Sequence, residues 1–431
     1  MRLRDHRHGA VIDAVVIGAG QAGLAVSHHL SRHGIEHVVL ERGSVGESWR
    51  SQRWDSFALN SPNWMNRLPG DAEDVAPRDG FLTRDQFVDR LVRYGEAHRV
   101  PLRTGVQVTS VEQGADGGLF LVSTSGPDAD ATGVVEARSV VVAAGMQRTP
   151  RLPALAGNLP GWLRQVPASG YRRPGDLPTG AVLVVGSGQS GVQIAEDLLA
   201  AGRIVYLCAS VVARFPRRYR GRDCFEWLVD AGFFEVALDG LPDPRMRSAT
   251  LPTISGLGRH GHTVSLQGLA TQGAILLGRP SAAHGDRLAL DDTIGAAIAF
   301  GDRTSAEMKA GVDKGLREHG RALPAVEPDA ADEPHPDPSA VHSPPELHLG
   351  TAGIGSVVWA TGFRGDLGFI RPPVLDAEGL PRHERGVGHV PGTYFVGFPW
   401  LSKRKSGLIH GVDEDAAFVA DRLAGDLVAA G

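Results

Sequence analysis

Val15-Val16-Ile17-Gly18-Ala19-Gly20-Gln21-Ala22-Gly23 is the stretch on which the reading of this chain turns. Residues 11–17 form a short, mostly apolar run that ends at glycine, as a buried parallel strand does. A helical stretch follows to about Ser31, Gly34 breaks it, and His37-Val38-Val39-Leu40 makes a second strand. A G-x-G-x-x-G turn between strand and helix is the fingerprint of a dinucleotide-binding βαβ unit. Gly18 permits the tight turn, Gly20 lets the backbone approach a pyrophosphate, and Gly23 lets helix and strand pack closely. The helix N-terminus offers that anion free N–H groups and the positive end of a dipole. Glu41 closes the second strand, where a carboxylate accepts ribose hydroxyls, with Arg42 beside it. The bland alternative is a glycine-rich turn that binds nothing.

A second copy of the pattern stands at Gly186-Ser187-Gly188-Gln189-Ser190-Gly191, between the run 181–185 and a helix. No acid ends its second strand at 204–207, and arginines follow at 214, 217, 218, 220 and 222. An acid-free strand end followed by arginines favours a coenzyme 2′-phosphate, with Arg214 and Arg217 as candidates. The other reading of these arginines is a solvated basic loop. Two dinucleotide sites in one chain imply electron transfer between two cofactors, normally a resident FAD and a visiting nicotinamide.

The remainder of the chain fits around these two units. Thr83 and Gln86 have capping-box spacing, and Phe87, Leu91 and Tyr94 continue a helix to about His98. Residues 105–111 and 118–124 suggest an antiparallel meander, and 140–145 a further buried strand. Seven prolines in 324–345 exclude regular structure there. Val357-Val358-Trp359-Ala360 is a late strand, and a last helix starts near Gly411. The expected fold class is α/β, with two Rossmann-like dinucleotide-binding domains. The expected division is 1–160 for the first segment of the FAD domain, 161–350 for an inserted NADP domain, and 351–431 for the FAD domain's C-terminal segment.

Composition excludes several classes. The net charge of −5 argues against nucleic acid as partner. Glycine makes up 56 of 431 residues without a collagen repeat, so it serves turns and close backbone approaches. Two widely spaced cysteines, Cys208 and Cys224, exclude a disulfide scaffold and a CxxC redox pair, and suit a cytoplasmic protein. The polar start Met1 to Gly9 reads as no signal peptide, and no apolar run reaches the ~20 residues of a spanning helix. His28, His29 and His33 share a helix, but no matching ligands follow, so no metal site is expected.

Taken together, the motifs resemble the class B flavin-dependent monooxygenases, and within them the bacterial flavoproteins labelled as involved in cation transport. The resemblance rests on residues 18–23, Glu41, Val45 to Arg50, Leu59-Asn60-Ser61-Pro62, 186–191, Arg217 to Asp223, Ala360 to Phe363 and Trp400 to Asp415. It implies that Trp49 and Arg50 run along the FAD, that the Val108 backbone meets its adenine, and that Asn60 lies near the reactive face of the flavin. It also places Asp413, at the start of the last helix, at the flavin edge, where a helix N-terminus stabilises the charge left by hydride transfer. The competing readings are a core aromatic for Trp49, an Asx turn for Asn60, a plain strand residue for Val108 and favourable first-turn acids for 413–415. Lys403, Arg404 and Lys405 read either as phosphate or flavin contacts or as a solvated turn.

The activity so implied is an FAD-dependent, NADPH-reduced monooxygenation. One atom of O2 passes to a small organic substrate through a flavin C4a-(hydro)peroxide. One departure stands out: Pro167 occupies the position of the family's linker histidine, although Tyr171 fits the aromatic four residues on. The rivals are an NADPH oxidase or dehydrogenase of the same fold and a non-catalytic flavin redox sensor.

Overall fold

The computed structural model describes residues 11–71, 77–114, 118–127, 131–241, 251–258, 260–377 and 379–430. The polar start read as carrying no signal peptide lies outside the described residues.

The first βαβ unit is as expected. Strand Ile12–Ile17 pairs in parallel with His37–Glu41 on one side and with Gly133–Val142 on the other. Leu102–Thr104 and Thr393–Phe395 extend this parallel sheet at its two sides. The strands are apolar on both faces because both are covered. Ala14, Val16, Val39 and Val141 enter one core layer, and Val15, Ile17, Val38, Val140 and Val142 the other. The meander Gln107–Gln113 and Phe120–Ser125 runs antiparallel into Gly133–Val142. The capping box at Thr83 is fully formed at the start of helix Arg84–Ala97.

The second unit is a five-stranded, wholly parallel sheet in the order Ile275–Leu277, Val205–Cys208, Ala181–Val185, Ile354–Trp359, Arg164–Pro167. Strand Ile354–Trp359 was expected in the FAD domain's C-terminal segment. It pairs with Ala181–Val185 instead, so the inserted unit runs to about Trp359 and not to 350. Its apolar sequence suits either sheet, and only register decides. The two connections between the units are themselves paired: Phe363–Arg364 lies antiparallel to Thr149–Pro150.

Residues 211–345 carry no strong periodicity, yet they hold a long helix, Ile294–Glu318. Its glycines weaken the apolar stripe that would have announced it. One of them marks a close approach: a Cβ on Gly295 would sit 2.3 Å from the Pro338 carbonyl oxygen. The proline-rich segment thus lies directly against this helix, with one 3-10 turn, Pro338–Ala340, as its regular structure. The C-terminal helix Val412–Ala430 packs on the first fingerprint helix, Gln21–Arg32. The histidines of that helix are used there: His29 meets Asp413 and His33 meets Asp421, each at 2.7 Å.

Candidate functional site

The first fingerprint has the geometry of a phosphate cradle. Gly18 holds φ at +106°, and a Cβ there would lie 2.7 Å from the Ala143 oxygen. A Cβ on Gly23 would fall 1.8 Å from the Gly18 oxygen, so helix and turn touch backbone to backbone. Gly20 is the opposite case: a Cβ there meets nothing within 4 Å among the described residues. The space over Gly20 is open, and the helix that starts after it has no side-chain cap. Its first N–H groups are therefore offered to a ligand anion. Ala22 is buried on the helix's inner side. Glu41 is buried, and its carboxylate accepts from Ala19 N and from Gly43 N, both at 2.9 Å. Those bonds aim it and leave lone pairs for a ribose diol.

Around this loop, Trp49 donates through Nε1 to Gln21 Oε1 at 3.0 Å and stacks edge-on with Phe87. Arg42 and Arg50 are exposed. Val108 lines a cleft of about 250 Å³ with Thr109, Arg148, Asp366 and Phe369. These residues and the open cradle fit an FAD whose pyrophosphate lies over Gly20.

The second fingerprint repeats the skeleton. Gly186 has φ +109° and would press a Cβ to 2.5 Å of the Ala360 oxygen, and Gly191 to 1.8 Å of the Gly186 oxygen. Gly188 caps its helix, Gln189–Ala200, again without a side-chain bond, and Ser190 lies in the first turn. Gly18 N donates to Leu40 O as Gly186 N donates to Cys208 O. Ala209 therefore stands where Glu41 stands, and Ser187 and Ser210 close the gap by bonding each other.

Several expectations change here. Arg214 and Arg217, the candidates for a 2′-phosphate, are both buried and engaged in ion pairs. Arg214 pairs with Asp332 and, at 2.7 Å, with Asp302. Arg217 pairs with Asp223 at 2.6 Å between the rings of Phe81 and Phe225. A buried guanidinium takes a carboxylate partner because burial unpaired is costly. Gln189 has its side chain occupied as well, by Ile254 N and Ser255 O. Asp413 receives His29, which holds its carboxyl below the usual range. Lys403 and Lys405 form a four-membered ion-pair ring with Glu235 and Glu414. Of the three first-turn acids, Asp415 is the buried one; it accepts from Ser402, and burial pushes its carboxyl up.

Asn60 is one of the places where the two units meet. Its Oδ1 accepts from Gln193 Nε2 at 3.0 Å, and its backbone oxygen accepts from Arg217 Nη1 at 2.7 Å. Both donors come from the inserted unit. Gln193 also holds Ser255 O and Gly256 O, so the segment Thr253–Leu257 is laid along the second fingerprint helix. Glu196 extends that contact by accepting from Leu257 N and bonding His262. The sequence reading missed Gln193, although its spacing from Gln189 puts both on one helix face. It missed Arg53 too, which stacks over Trp49 and Phe57, bonds Gln147 and has no carboxylate partner among the described residues. Burial, and then Arg172, pull its guanidinium down to about 10.

Comparison with known proteins agrees with this geometry. The model of the pyridine nucleotide-disulphide oxidoreductase family matches residues 15–218. An uncharacterized CzcO-like oxidoreductase of Geobacillus kaustophilus is 30% identical over 416 residues, covering 96% of this chain and 98% of its own. Indole-3-pyruvate monooxygenase YUCCA1 of Oryza sativa is 32% identical over 228 residues, covering 52% and 54%. Among solved structures, an ornithine N-hydroxylase of Kutzneria, with reduced FAD, NADP+ and L-ornithine, superposes with a TM-score of 0.61 at 16% identity, over 96% of this chain and 99% of its own.

Proposed function

The chain belongs to the class B flavin monooxygenase family, and from that premise we propose that it is an FAD-dependent, NADPH-reduced monooxygenase acting with O2 on a small organic substrate. The observation that carries the reading is the junction at Asn60. Residues from the second fingerprint helix and from the arginine-rich segment converge there on a loop of the first unit. A nicotinamide delivered by one unit and a flavin held by the other need such a common point for hydride transfer.

Bound FAD would supply the oxygen chemistry; the chain supplies position and exclusion of water. Gly18, Ala19, Gly20 and Glu41 would hold the FAD pyrophosphate and ribose, with Trp49, Arg50 and Val108 along its length. Gly186 to Gly191 would hold the coenzyme pyrophosphate. Asn60, oriented by Gln193 and Arg217, keeps its Nδ2 donor without a protein partner among the described residues and so turns it to the bound pair. No helix among the described residues is long and apolar enough to cross a membrane.

The purified protein tests this in stopped flow. Reduction by one equivalent of NADPH is followed by mixing with oxygenated buffer. A transient spectrum distinct from oxidised and reduced flavin, with NADPH consumption raised by amines, sulfides, indoles or ketones, supports monooxygenation. Direct reoxidation with stoichiometric peroxide, whatever the substrate, supports the oxidase reading. One observation favours that second reading: Pro167 ends an edge strand paired with Trp359 and puts no hydrogen-bonding side chain at the linker.

A further inference from the structure

The proline-rich segment carries an acid into the interior of the inserted unit. Asp332 is buried, and its carboxylate takes Arg214 Nη1, Ser305 Oγ at 2.6 Å and Lys309 Nζ at 2.7 Å. Arg214 Nη2 reaches Asp302 at 2.7 Å. Two cations and two carboxylates thus close a balanced cluster. Yet Arg214 Nε has no partner among the described residues, although the side chain is only 5% exposed. That side chain lines a cavity of about 20 Å³ together with Ser187, Ser210, Gln267 and Gly301. Ser187 belongs to the second fingerprint, and Ser210 lies just past the strand end that faces a coenzyme's ribose 2′ position. The cavity has room for about one water. No phosphate enters while Asp332 is seated.

We propose that Asp332 is a placeholder anion: the 2′-phosphate of the coenzyme displaces it from Arg214 and Lys309, and the proline-rich segment lifts as the phosphate enters. The exchange is anion for anion, so neither buried Arg214 nor half-buried Lys309 is left unpaired at either end of it. The Ser210 hydroxyl and Arg214 Nε, which has no partner among the described residues, are donors that a phosphate uses and a carboxylate anchored at 332 does not reach. Gly301 forms the floor, where a Cβ would stand in ordinary contact with Arg214 Cδ at 3.5 Å. The proposal rests on the reading that the second fingerprint holds NADPH.

The test uses full-length, FAD-loaded protein and two probes that differ only by the phosphate, ADP-ribose and 2′-phospho-ADP-ribose. Hydrogen exchange is followed in residues 325–340, with binding measured by calorimetry. The expected result is that 2′-phospho-ADP-ribose speeds exchange around Asp332 and ADP-ribose does not. Asp332→Asn is expected to tighten 2′-phospho-ADP-ribose about tenfold and to leave ADP-ribose within about twofold, since a competing closed state lowers apparent affinity by its population. The wild-type exchange arm stands if that variant does not fold. Binding of both probes with the segment equally protected overturns the proposal alone. Binding of neither probe overturns the coenzyme reading and the proposal with it.

Discussion

The two glycine-rich loops of this chain share one skeleton and differ in what closes it. Gly18 and Gly186 have φ values of +106° and +109°, and Gly23 and Gly191 would each drive a Cβ to 1.8 Å of a backbone oxygen. The first loop is then closed by Glu41, whose buried carboxylate spans Ala19 N and Gly43 N. The second has Ala209 at that place, a serine pair across the gap, and an arginine held back by two aspartates. The glycines answer a backbone requirement that any dinucleotide imposes. The strand-end residue answers the ligand, and there the two loops part.

The largest effect should come from breaking the shared skeleton on one side only. Gly23→Ala and Gly191→Ala each force a Cβ against backbone, at a cost of roughly 3 kcal/mol or more. Gly23→Ala is expected to yield protein without yellow flavin. Gly191→Ala should retain flavin, read by its visible absorbance, and lose reduction by NADPH. If both variants lost flavin equally, the assignment of the two loops to two ligands would fail.

Next is the junction. Gln193→Leu removes the donor to Asn60 Oδ1 and to two carbonyls of the covering segment. Loss of a buried polar partner costs about 1–3 kcal/mol. We expect slower flavin reduction by NADPH at unchanged FAD content, with Asn60→Ala giving the same pattern. Glu41→Gln sharpens the contrast at the first loop: weakening of FAD by about tenfold, within the range for loss of a charged hydrogen-bond acceptor, with the NADPH KM unaffected. Ultrafiltration of the cofactor measures it.

The smallest effect concerns pH. Among the described residues, the second loop carries the covering segment Thr253–Leu257, and His262 helps pin it through Glu196. The hydrogen bond to Glu196 raises the His262 pKa above its ordinary value of 6.5. A raised histidine contributes stability that is fully present below the unfolded pKa and is lost as pH rises through the folded one. Hydrogen exchange in residues 253–258, corrected for intrinsic rate, should therefore quicken from about pH 6.5 upward. The first-loop residues 18–24 should stay flat, and His262→Gln should abolish the difference.

Much of this was legible without coordinates. Strand, glycine spacing and helix announce both βαβ units because backbone sterics permit few residue types there. The capping box at Thr83 and the start of the last helix are equally local, and both appear as expected. Long-range pairing is where local signals stop. Ile354–Trp359 is as apolar as a strand of either sheet, so its place next to Ala181–Val185 could not be read. Arginines in series look like a solvated loop or a phosphate site until Asp302 and Asp332, about a hundred residues on, are brought to Arg214. Helix Ile294–Glu318 hid because its buried stripe is built largely from small residues, Ala297, Gly301 and Ser305, which do not read as apolar anchors.

The sequence by itself determined the two dinucleotide cradles, their order and the acid on the first, because each depends on residues within one βαβ unit. Tertiary structure alone decided where the inserted unit ends, that Gln193 and Arg217 meet at Asn60, and that Arg214 is neutralised from the proline-rich segment. The physical reason is the same each time. A buried charge or amide must find its partner wherever the folded chain brings one, and sequence separation carries no record of that distance.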